Sequence, residues 1–152
     1  MSDRDDIIDV LVRYATGIDS RDWDLLRSCF TDDATFDYGP IGSWSNPDSL
    51  TRYMKGAHSG PSMHRLTNFA ITVDGDTATA RTYVDATVMG PGGVGAVENF
   101  GWYDDRLVRT PDGWRIAFRR TTLHGIRLPG LLRVVPPTLG VRLAGRMGRR
   151  RR

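Results

Sequence analysis

His58, His64 and His124 are the three side chains of this sequence that can change charge near neutrality. None has metal-ligand spacing relative to another or to a cysteine, so no metal site is expected. A Walker-type glycine loop, a dinucleotide fingerprint, paired zinc cysteines and a nucleophile-elbow serine are all missing. Gly90 to Gly95 is glycine-rich but falls where a hairpin should turn, which disfavours a phosphate cradle. Acid–base chemistry by isolated polar side chains remains. A histidine near its ordinary pKa can serve as both base and acid, a carboxylate can orient it, and a tyrosine can donate to developing charge. Asp19 is the carboxylate that stands out. It follows an apolar helical stripe directly, at the helix end where the dipole disfavours negative charge. Either it caps the next turn or a partner holds it there.

These residues need elements to position them. Ile7, Leu11, Tyr14 and Ile18 are spaced for a first helix, with Ser2 and Asp5 as a capping box. Asp22 caps a short second helix with Trp23, Leu26 and Phe30 along one face, closed by Thr31 to Asp33. Residues 34–38 read as a short strand. Asn46-Pro47-Asp48 opens a third helix with a buried stripe of Leu50, Tyr53, Met54 and Ala57, ended by Gly60-Pro61. From Met63 the period becomes two. Strands are predicted over 63–73, 77–88, 97–109 and 114–123, separated by Asp74-Gly75-Asp76, the glycine-rich loop and Pro111-Asp112-Gly113. Helices first and an antiparallel meander after give an α+β domain over residues 1–124, with an appended segment at 125–152.

Tyr14…Ile18-Asp19-Ser20-Arg21-Asp22-Trp23-Asp24, Phe30-Thr31-Asp32-Asp33-Ala34, Asp37-Tyr38, Met63-His64, Val73-Asp74-Gly75-Asp76 and Gly113-Trp114-Arg115-Ile116 together resemble the SnoaL-like branch of the nuclear transport factor 2-like superfamily. The pattern is closest to scytalone dehydratase and bile-acid dehydratase and covers about residues 5–122. The resemblance implies a cone-shaped α+β barrel, with three helices packed on a curved antiparallel sheet around an apolar cavity. It also implies roles. Asp19 and His64 match a catalytic carboxylate–imidazole pair, Tyr38 a tyrosine bonding the substrate carbonyl, and Tyr14 a second such tyrosine. A second catalytic histidine of scytalone dehydratase falls near Val88 here, a departure that argues against the same substrate. The implied activity is a dehydratase or isomerase without a cofactor, acting on an apolar oxygenated polyketide, steroid or terpenoid. The rival is a non-catalytic binding or dimerising scaffold, or the small subunit of a ring-hydroxylating oxygenase.

Each residue also has a plainer reading. Tyr38 and Tyr14 can simply pack, their hydroxyls tied off. Trp23, Val88, Phe100, Trp102 and Arg119 are the candidate substrate-binding residues, although Trp23, Trp102 and Trp114 also suit a core. Arg115 and Arg119 share one face of a regular strand, where they would be solvated or anchor an acidic group. Asp85 opposes the row Ala78 to Ala86 and is expected in solvent. His58, near a helix end, suits a dipole interaction.

Composition agrees with a folded globular chain, at 39% hydrophobic and 26% charged residues in 152. Eight of the 21 basic residues lie in 123–152 without an acid, leaving 13 against 18 acids and a formal −5 in the first 122. Basicity therefore belongs to the tail, and nucleic-acid binding is not expected because no aromatics interleave the arginines. The tail is read as a solvated extension, a cationic segment touching an anionic membrane, or a lid using Leu128, Leu131 and Leu132. The acidic start lacks a signal-peptide pattern, and Cys29 has no partner for a disulfide, so a cytoplasmic setting is expected; the family resemblance implies a homodimer or higher oligomer.

Overall fold

A computed structural model describes residues 2–93, 95–128, 138–140 and 142–143. Helix α1 (Asp3–Ser20) starts as its sequence dictates: Ser2 and Asp5 close the capping box, and Asp3, Asp5 and Asp6 sit at the positive end of the dipole. Ile7, Leu11 and Ile18 are completely buried along its inner face, each contributing about 1.5–3 kcal/mol of apolar burial. Helix α2 (Trp23–Ser28) is capped by Asp22, whose carboxylate accepts from the Leu25 N–H at 2.9 Å. It packs closely because Gly17 of α1 has no side chain; a Cβ there would press on the Leu26 backbone. Phe30 does not extend α2. It opens strand β1 (Phe30–Asp37), because the Ile116 N–H captures the Cys29 carbonyl and pulls the chain into the sheet.

A two-residue strand β2 (Ser43–Trp44) precedes α3 (Pro47–Ala57), which Asn46 caps. Tyr53 and Ala57, expected in the α3 core stripe, are exposed at a cavity mouth, while Pro47, Leu50 and Met54 are buried. Strands β3 (Ser62–Asp74), β4 (Thr77–Met89), β5 (Ala96–Thr110) and β6 (Gly113–Arg127) follow, and the sheet order is β2-β1-β6-β5-β4-β3. The α+β cone arrangement holds, with one correction. β1 runs parallel to β6, so the sheet is mixed rather than wholly antiparallel. That pairing joins segments about eighty residues apart, which no local pattern reveals.

Bulges curve the sheet. Asn68 adopts φ 52° where β3 slips against β4, a conformation asparagine tolerates. Ala117 and His124 are extra residues where β6 slips against β5. At the second slip, Gly101 lies so close to Thr122 that a Cβ would overlap its carbonyl. β6 reaches Arg127, past the expected end at 123. Beyond it Leu128 is buried with Ile126 against Val97, Leu123 and Leu143. Leu131 and Leu132, named above for the lid, lie outside the described residues, as do Arg149 to Arg152. No helix among the described residues is long and apolar enough to cross a membrane.

Candidate active site

α1 delivers Asp19 in its last turn, and β3 delivers His64 on the sheet's concave face. Period two places Ser62, His64 and Leu66 inward while Met63, Arg65 and Thr67 are exposed. The cross-strand partner of His64 is Ala86, small enough to leave the ring room. The carboxylate of Asp19 takes three hydrogen bonds: His64 Nδ1 at 2.7 Å, the His64 backbone N–H at 2.7 Å, and Ser62 Oγ at 2.8 Å. Only 23% of its side chain and 7% of the histidine's are exposed. Burial pushes the Asp19 carboxyl up, but the His64 ring and amide and the Ser62 hydroxyl outweigh it, and the pKa lies below the ordinary value. The carboxylate can only accept, so His64 Nδ1 carries the proton and Nε2 keeps its lone pair.

The position of Asp19 against the helix dipole is resolved by Arg21. This residue ends α1 with φ 63°, and its guanidinium donates to the carbonyls of Ile18 (2.6 Å) and Asp19 (3.0 Å), to Ser62 Oγ (3.0 Å) and to the Gly60 carbonyl. One cation neutralises the negative helix end and fixes the hydroxyl that steadies the carboxylate. Sequence reasoning missed both Arg21 and Ser62. Their nearness to Asp19 and His64, each two residues away, was the available signal.

His64 lines a cavity of about 650 Å³, and Asp19 holds it from outside that lining. Exposed Arg52, Tyr53 and Ala57 form its mouth and buried Tyr14, Tyr38, Tyr103 and Thr121 its floor, while Val84, Val88, Val97 and Leu123 make much of the wall. The Tyr14 and Tyr38 hydroxyls are 2.9 Å apart. Burial, and then Tyr14, push the Tyr38 phenol well above its ordinary pKa, so it stands protonated as a donor. His58, from the end of α3, also lines the cavity.

Of the five candidate substrate-binding residues, Val88 alone lines this cavity. Trp23 packs half-buried at the core margin, with Lys55 6.0 Å over its ring. Phe100 and Trp102 face the opposite, outer side of the sheet, in a groove with Tyr83 and His124, because β5 turns Gly101, Tyr103 and Asp105 inward. Asp85 is exposed on that outer face, 3.6 Å from Arg65, as expected. Arg119 is the larger correction. The extra residue Ala117 reverses the alternation, so Arg119 points inward, fully buried, while Arg115 does not. Its guanidinium forks onto Asp105 at 2.7 and 2.8 Å and lies between the rings of Tyr14 (3.9 Å) and Tyr103 (4.1 Å). Burial opposes its charge, but the Asp105 carboxylate outweighs that and keeps it protonated. Arg119 therefore supports the tyrosine floor from behind instead of meeting substrate. Asp105→Ala leaves this cation unpaired in the core and should cost about 3–5 kcal/mol of stability, measured by urea denaturation.

Among the described residues no His, Cys, Asp and Glu cluster could hold a metal ion. The arrangement can instead take a proton at His64 Nε2 and hydrogen-bond an oxygen at the tyrosine floor.

A family profile described as SnoaL-like domain matches residues 1–120. An uncharacterized protein of Mycobacterium tuberculosis (strain ATCC 25618 / H37Rv) is 39% identical over 126 residues, spanning 80% of this chain and 86% of that one. The structure of a candidate aromatic ring hydroxylase from Novosphingobium aromaticivorans is 32% identical, with TM-score 0.76 over 83% of this chain and 92% of that one. A candidate scytalone dehydratase from the same organism superposes with TM-score 0.74 at 19% identity, over 86% and 90% of the two chains.

Proposed function

We propose that this chain, which belongs to the SnoaL-like domain family, is a lyase or isomerase that moves a proton alpha to a carbonyl on a small apolar oxygenated molecule. The observation that carries this reading is the 2.7 Å bond between Asp19 and His64 Nδ1 at the edge of a largely apolar cavity. His64 Nε2 removes the α proton, and Asp19 stabilises the imidazolium that forms. Tyr38 donates to the enolate oxygen, with Tyr14 bonded to it and the buried Arg119 cation behind. His64 then returns the proton, to a leaving hydroxyl in a dehydration or to another carbon in an isomerisation. The side chains supply every proton transfer, and no resident cofactor enters the proposal.

The β-hydroxy ketone aldol of benzaldehyde and acetone is a suitable probe, because its dehydration to benzalacetone is followed by absorbance. Enone formation by the wild type is the expected result. Tyr38→Phe keeps the ring and its edge contacts but removes the donor, and should lower kcat about 100-fold, in line with roughly 3 kcal/mol for one well-placed oxyanion donor. Binding of the aldol without enone formation or α-proton exchange would instead favour the second reading. The likeness to a candidate aromatic ring hydroxylase supports that one: a non-catalytic scaffold, or the small subunit of a ring-hydroxylating oxygenase.

A further inference from the structure

We propose that His58 is the hydrogen-bond acceptor for the leaving group, and that the cavity therefore selects a β-hydroxy carbonyl compound and releases water. This rests on the His64 reading and narrows it to dehydration. His58 is 8% exposed, and its Nδ1 lies 3.2 Å from the Met54 carbonyl oxygen. A carbonyl only accepts, so the proton of the neutral ring is on Nδ1 and the lone pair on Nε2. The bond to Asp19 fixes the same tautomer in His64. Two imidazoles thus line one cavity, each with its Nδ1 engaged, at a centroid separation of 5.6 Å and a tilt of 37°. Among the described residues nothing hydrogen-bonds His58 Nε2.

Burial, and then the charge of His64, draw the His58 pKa down to about 4 against its bond to Met54, with Arg21 adding to the effect and Asp19 opposing it. His58 thus stays a neutral acceptor while His64 changes charge. His58 Nε2 opens on the cavity, so a ligand that displaces solvent from it must supply a donor or leave that acceptor unsatisfied. Once His64 has taken the α proton, its Nε2–H is a donor lining the same cavity as that acceptor. A group that satisfies both must accept from His64 and donate to His58. A hydroxyl does so; a halide, an ether or a carbonyl can only accept.

The step balances. The Cα–H pair becomes the enolate, whose collapse forms the Cα–Cβ double bond. The Cβ–O bond breaks with its pair on oxygen, which takes the proton from His64 Nε2 while its own proton stays hydrogen-bonded to His58. Enone and one water leave, and both imidazoles regain their starting states.

The test compares the benzaldehyde–acetone aldol with its methyl ether, which has no O–H to donate. In His58→Phe the ratio of elimination to α-proton exchange for the aldol should fall about 10–100-fold, and the preference for aldol over ether should vanish. His58→Gln, which keeps an acceptor near the Nε2 position, should recover most of both. Nitrogen NMR of the wild type covers the case in which His58→Phe fails to fold. The His58 Nε2 resonance should shift with the aldol and stay still with the ether. Wild-type preference in His58→Phe, or an unmoved resonance, overturns the proposal. If the wild type exchanges the α protons of the aldol yet never forms enone, the hydroxyl assignment falls and the dyad stands; if it does neither, the dyad reading falls as well.

Discussion

His64→Ala should slow elimination from the benzaldehyde–acetone aldol about 1000-fold, within the range lost when a positioned acid–base group is removed. The fold should survive, because two of the bonds that hold Asp19 come from the backbone N–H of residue 64 and from Ser62 Oγ. The small Ala86 side chain opposite leaves a ring-sized space, so added imidazole should recover part of the rate. That recovery separates lost chemistry from lost structure. A full rate in the variant would show that the proton goes elsewhere.

Asp19→Asn should be at least as damaging, at about 10³–10⁴-fold in kcat, through a different route. An amide can turn its oxygen to the backbone N–H of residue 64, and its NH₂ then faces His64 Nδ1. That arrangement favours the tautomer with the proton on Nε2, where the base is needed. The same substitution should change the acid limb of stability. The Asp19 carboxyl lies below its ordinary value in the folded protein, so its contribution is complete above an unfolded pKa of about 3.9 and lost as pH falls through the lower folded value. Melting temperature against pH should fall less steeply below pH ~4 in Asp19→Asn than in the wild type.

Legibility in the sequence followed the range of the forces involved. Local signals worked well. The capping box at Ser2, the Asn46-Pro47 start of α3 and the alternation through Ala78 to Ala86 each appear where the residues placed them. The strain of a carboxylate at a helix's negative end was also readable at Asp19, but not its remedy, since Arg21 acts through a left-handed backbone turn. The failures arise where one residue resets a pattern. Ala117 is an ordinary alanine in sequence, yet as the extra residue of a bulge it turns Arg119 from an expected surface group into a buried cation. Phe100 and Trp102 were misplaced because the inward face of β5 is marked by Tyr103 and Asp105, a polar pair that looks solvated until Arg119 is known to meet it. His58 had no signal beyond its place at a helix end. Its relation to His64 exists only once the end of α3 is brought beside β3 in the folded chain.

The most direct test of the account is deuterium wash-in at the α carbon of the benzaldehyde–acetone aldol, followed by NMR in heavy water with wild type, His64→Ala and Asp19→Asn in parallel. The account predicts catalysed exchange by the wild type and near-background exchange by both variants. Exchange at the wild-type rate in both variants would contradict it.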